Sequence, residues 1–163
     1  MSNSNSSSMS MDDMVLVSVD DHVCEPPEMW DRHLPARWRD KAPKMIRQNG
    51  ADLWVYEGRV MPNIGVNAVA GRVPEEYGME PTALDQMRPG AYNVDARIDD
   101  MNAGGVLGAM CFASVPGFVG QLYNMGKDKE LALAILQAYN DWHIDEWCGK
   151  HPGRFIPLSL PVL

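Results

Sequence analysis

Cysteine is scarce in this 163-residue sequence: Cys24, Cys111 and Cys148 are the three, an odd number without the paired spacing of a zinc or disulfide framework. Free thiols in a reducing compartment are expected. Runs of Lys or Arg are absent, and 14 basic residues against 22 acidic ones leave a net charge of −8. A phosphate backbone would meet repulsion, which excludes nucleic acid as the expected partner. No apolar run approaches the roughly 20 residues that a membrane-spanning helix needs, so no membrane partner is expected either. Met1 to Met11 lack the basic segment and the apolar stretch of a signal peptide. Residues 1–13 are expected to form a disordered tail on a soluble, cytoplasmic protein. Missing too are a Gly-x-Ser-x-Gly elbow and a Gly-rich loop directly after the first strand-like run, which leaves a serine nucleophile and a nucleotide site without support.

What is present is globular material, 45% apolar and 22% charged. The 14 glycines and 12 prolines are heavy for a helical bundle and fit alternating strands, helices and long loops. Met14 to Val19, MVLVSV, reads as a buried parallel strand that stops at the acidic pair Asp20 and Asp21. Prolines 26, 27, 35 and 43 then limit helix to a turn or two around Glu28 to His33. Asn49-Gly50 and Glu57-Gly58 flank the strand-like Leu53 to Tyr56 and predict a small antiparallel hairpin or meander. Ile64 to Tyr92 reads as a long loop, so residues 44–92 form an insertion.

Beyond it, Asn93 is a good N-cap for a helix with Val94, Ile98 and Met101 on one face, ended by Gly104-Gly105. Val106 to Phe112, wholly apolar, predicts a second strand covered on both faces. Lys127 to Cys148 predicts the longest helix, and Phe155 to Leu163 a third strand despite Pro157 and Pro161. The fold class is α/β. Strands alternating with helices imply a parallel sheet, doubly wound or wrapped as a barrel. As a (β/α)₈ TIM barrel, the chain would amount to about three β/α repeats plus the insertion, cut short as the third repeat begins.

Three of the four histidines carry an aspartate two residues upstream: Asp20/His22, Asp31/His33 and Asp141/His143. The second pair lies in a Pro-bounded turn and the third in mid-helix, where residues two apart do not share a face. Asp20 and His22 lie at a strand end, where such residues project together. A carboxylate oxygen and an imidazole nitrogen at the C-terminal mouth of a barrel make half of a Zn²⁺ or Mn²⁺ site. The competing interpretation is a surface histidine satisfied by a neighbouring carboxylate. His143, Cys148 and His151 match no zinc spacing, and Cys111 reads as a small buried apolar residue.

From Val15 to Trp30, VLVSVDDHVCEPPEMW, and again at Leu34 to Arg47, LPARWRDKAPKMIR, the sequence resembles the amidohydrolase-related family of metal-dependent (β/α)₈ barrel enzymes. That family includes the aminocarboxymuconate-semialdehyde decarboxylase-like proteins. The resemblance continues through WVYEGRVMP, NAVAGR, ARIDDM, AYNDWHIDEWC and PGRFIPL. It implies a mononuclear divalent-metal site whose first two ligands fall on Asp20 and His22, with Glu25 close enough to support them. The remaining ligands and the acid/base residues would lie beyond Leu163. The implied function is that of a metal-dependent hydrolase or carboxy-lyase (decarboxylase) acting on a small organic acid or an amide- or lactone-like substrate. The long loop would cap the mouth as a lid or form a subunit contact in a homo-oligomer. The rival expectation is a non-catalytic barrel remnant serving as an interaction module.

Overall fold

The computed structural model describes residues 10–61, 73–76, 82–114 and 120–161. The expected tail falls mostly outside them, but its last residues are ordered. The Ser10 side chain accepts the Asp12 amide while the Asp13 carboxylate accepts the Ser10 amide, a capping box on the 3₁₀ turn Met11–Asp13. Residues 62–72 and 77–81, which include part of the expected long loop from Ile64 to Tyr92, also lie outside the described residues.

Strand β1, Leu16–Val23, pairs in parallel with β5, Val106–Ala113. The expectation that β1 stops before the acidic pair is corrected. Asp21, His22 and Val23 lie opposite Cys111, Phe112 and Ala113, because ladder pairing uses backbone groups and is indifferent to a carboxylate standing off the sheet. The register also slips. Ser18 faces Ala109 and Asp21 faces Cys111, so β1 carries one extra residue at this point, a bulge.

The expected burial of both strands is only half met. From Gly108 onward β5 alternates between partly covered and buried residues, with Leu107 exposed, and β1 leaves Leu16 and Val19 at 55% and 64% exposure. Among the described residues β1 has one neighbour, so its apolar run has no second strand to cover it. The third strand is reduced to a single parallel bridge between Ala109 and Phe155, with residues 156–161 in no regular element. Pro157 and Pro161 account for this, since each removes a ladder donor.

The insertion contains a meander of β2, Lys44–Gln48, β3, Ala51–Tyr56, and β4, Arg59–Met61. Both hairpins turn through Asn49-Gly50 and Glu57-Gly58 with positive φ at each residue, the type I′ geometry that matches strand twist. Glu57 adopts the left-handed region without being glycine. Its carboxylate accepts the Lys127 and Asp128 amides at the head of helix α4, Lys129–Trp142, which offsets that local cost. Along β3 the residues Asp52, Trp54 and Tyr56 face inward. Asp52 is accommodated by the Arg47 guanidinium and the Leu84 amide.

Helix α1, Met29–His33, buries Met29 and Trp30. Helix α2, Val94–Ala103, starts as expected at Asn93, whose side chain accepts the Asp95 and Ala96 amides. A short helix α3, Gln121–Asn124, precedes α4. The predicted long helix is real but changes character, since α4 gives way to a π-helical turn at His143–Cys148. The core lies between α4 and the sheet. Leu131, Ile135, Ala138, Tyr139 and Trp142 supply one wall, and Tyr123 stacks edge-on against Trp30 and Tyr56 at 6.0 and 5.3 Å.

Candidate functional site

The C-terminal half of β1 carries Asp20, Asp21 and His22, with Glu25 two residues beyond the strand. Asp20 Oδ1 stands 3.7 Å from His22 Nε2, so the expected pair does share a face. Asp20 is 80% exposed and His22 23%, its ring tilted against Phe112. Two donors each about 2.0–2.2 Å from a zinc ion at tetrahedral angles would be roughly 3.4 Å apart, so the spacing needs only a small adjustment. Donor type and spacing therefore fit a divalent ion. Among the described residues no third His, Cys, Asp or Glu joins them to complete a ligand cluster.

Asp21 is differently engaged. Ser18 Oγ donates to its Oδ1 at 2.7 Å, and Arg97 approaches its Oδ2 at 3.4 Å. Arg97, from the second turn of α2, also donates to the His22 carbonyl at 2.7 Å and the Gly90 carbonyl at 2.6 Å. Sequence reasoning missed Arg97, and no local signal could have found it, because it lies 75 residues from His22. Glu25 is 2% exposed and accepts the Ser114 amide at 2.9 Å, joining the ends of β1 and β5.

The other candidates resolve into structure. His33 Nε2 meets Glu146 Oε1 at 2.7 Å, beside the Arg32–Glu146 fork, rather than Asp31. His151 and Lys150 both meet Asp95, whose carboxyl is thereby held below its usual range. His143 is fully buried, with Nδ1 3.1 Å from the Leu158 carbonyl, and burial lowers its pKa to about 4. All three cysteines are buried and none is in a disulfide. Burial pushes Cys24 and Cys148 up to about 12, the thiol state that is a poor nucleophile. A cavity of about 450 Å³ beside the π-helical turn, lined in part by Glu28, Arg32, Asn93, Trp142 and Glu146, is separate from the Asp20/His22 pair.

No helix among the described residues is long and apolar enough to cross a membrane. No protein-family model matches the chain, and no curated protein matches it. Among solved structures it is similar to the crystal structure of an amidohydrolase, map2389c, from Mycobacterium avium subsp. paratuberculosis K-10. The two share 22% identity and a TM-score of 0.57, over 89% of this chain and 42% of that one. The chain thus spans less than half the length of that protein. At this identity the likeness concerns the fold, and the conclusion is that residues around Asp20 and His22 belong to an amidohydrolase-like α/β fold with a parallel β1–β5 pair.

Proposed function

We propose that residues 14–163 are the N-terminal portion of a metal-dependent hydrolase or carboxy-lyase with a (β/α)₈ barrel, acting on a small organic acid or an amide- or lactone-like substrate. One observation carries this reading: Asp20 and His22 converge to 3.7 Å at the C-terminal end of β1, in an amidohydrolase-like fold. The C-terminal ends of barrel strands are where such folds place their chemistry. Asp20 Oδ1 and His22 Nε2 would hold one Zn²⁺ or Mn²⁺ ion. When bound, such an ion polarises a substrate oxygen or lowers the pKa of a water. Glu25 would hold the rim steady through the Ser114 amide. Residues that complete the metal shell and move the proton would come from further repeats.

The test is calorimetric titration of the chain with ZnCl₂ and MnCl₂. Wild type should bind one equivalent, and His22→Ala and Asp20→Asn should each lose at least about tenfold in affinity, each removing a ligand. Equal affinity in His22→Ala would sink the metal reading. The second reading, a non-catalytic barrel remnant that binds a partner, is favoured by the exposed apolar residues Leu16 and Val19 on a strand with a single neighbour among the described residues. Self-association in size-exclusion chromatography without metal uptake would favour it, whereas a metal-binding monomer would count against it.

A further inference from the structure

The two adjacent aspartates of β1 are chemically equivalent in sequence and different in the fold. Both oxygens of Asp21 are engaged, by Ser18 Oγ at 2.7 Å and by Arg97 Nη1 at 3.4 Å, whereas Asp20 is exposed and turned towards His22 Nε2. Alternation along β1 sends Asp21 to the face opposite His22, and one guanidinium engages it there. Arg97 Nε donates to the Gly90 carbonyl and Nη2 to the His22 carbonyl, while Nη1 faces Asp21, so a single planar fork spans three points of the rim. Its Cζ lies 5.8 Å from the Trp147 ring centroid, and its side chain is 16% exposed.

The seat of this fork is itself closely built. A Cβ added at Gly90 would stand 2.2 Å from Asp100 Oδ2 and 3.4 Å from the Arg97 Cα, so a larger residue here would have to displace the Asp100 carboxylate. Asp100 is held by Arg88, and the Cys24 amide donates to the Ala91 carbonyl at 2.8 Å. The segment around residues 88–91 therefore clamps the end of β1 from one side while Arg97 holds it from within.

We propose that Arg97 is a positioning residue for the Asp20/His22 pair: it pins the His22 main chain to α2 and to the Gly90 segment, and so holds the His22 ring where Asp20 meets it. This rests on the metal reading above and adds to it what holds the His22 donor in place. Charge alone does not suffice for the role, because a lysine has no fork to reach the Gly90 and His22 carbonyls together.

The experiment is ZnCl₂ titration by calorimetry of wild type, His22→Ala, Asp20→Asn, Asp21→Asn, Arg97→Lys and Arg97→Gln, with the melting temperature of each metal-free protein measured alongside. Outer residues that orient a metal ligand typically cost about 10–100-fold in affinity when removed, so Arg97→Gln should lose about tenfold and Arg97→Lys at least about threefold. Asp20→Asn should lose at least about tenfold and Asp21→Asn no more than about twofold, since the first removes a ligand and the second does not. In Arg97→Lys the loss should come without a matching fall in melting temperature, which a purely structural role would not produce. Should Arg97→Gln fail to melt cooperatively, Arg97→Lys decides. Wild-type affinity in the Arg97 variants, or a loss in Asp21→Asn equal to that in Asp20→Asn, overturns the proposal while leaving the metal reading intact. Wild-type affinity in His22→Ala removes the metal reading, and the proposal with it.

Discussion

His22 and His143 each follow an aspartate by two residues, yet they end in opposite environments. On β1 the two-residue spacing returns to the same face, so Asp20 and His22 meet at 3.7 Å in a partly open setting. Across the junction of α4 and the π-helical turn the same spacing separates them. His143 turns into the core between Tyr139 and Trp142 with Nδ1 at the Leu158 carbonyl, while Asp141 stays exposed. One residue pattern gives a partly open acid–histidine pair on a strand and a packing residue on a helix, because backbone periodicity decides which side chains share a face.

The contrast can be broken most strongly from the helical side. Trp142 is buried against Tyr139, His143 and Trp147, and Trp142→Ala should cost about 3–5 kcal/mol in urea unfolding, from lost burial plus a cavity. A smaller effect should come from pH. Above pH 6.5 His143 is neutral folded and unfolded, so it contributes no pH dependence. Between 6.5 and about 4 the unfolded chain takes up a proton that the buried ring refuses, and stability should fall as pH falls, by about 3 kcal/mol in all at 1.36 kcal/mol per pKa unit. Below about 4 the contribution levels off. His143→Asn keeps a donor for the Leu158 carbonyl but does not titrate in this range, and it should flatten the slope of unfolding free energy between pH 4 and 6.5.

On the strand side the effects on stability should be smaller. Asn93→Ala removes the cap of α2, the helix that carries Arg97, and should cost about 1 kcal/mol in the same unfolding assay. His22→Ala, in a partly exposed position, should change metal-free stability by no more than about 0.5 kcal/mol while abolishing most metal affinity. A His22→Ala loss as large as that of Trp142→Ala would mean that His22 is a packing residue too, and would erase the distinction between the two regions.

Much of the fold was legible from local chemistry. Asn93 as a cap, the Asn49-Gly50 and Glu57-Gly58 turns, the apolar β5 run and the amphipathic α4 each depend on neighbours within a turn of chain, so they can be read from residue order. Boundaries were less legible where pairing is remote: β1 runs through its acidic pair because β5 supplies partners, and the third strand shrinks to one bridge because prolines withhold donors. Of the site, the Asp20/His22 spacing was visible and its support was not.

What the sequence by itself determined, then, is the set of short-range devices and the acid-x-His pair on a strand, since a period of two fixes their common face. Tertiary structure alone decided that Asp21 is tied to Ser18 and Arg97, that Glu25 reaches the Ser114 amide, and that Glu146 takes up Arg32 and His33. Arg97 and Asp21 lie 76 residues apart, Glu25 and Ser114 89, and Arg32 and Glu146 114. Contacts of that range are fixed by how α2, β5 and α4 pack on β1, a property of the assembled core that no window of residues contains.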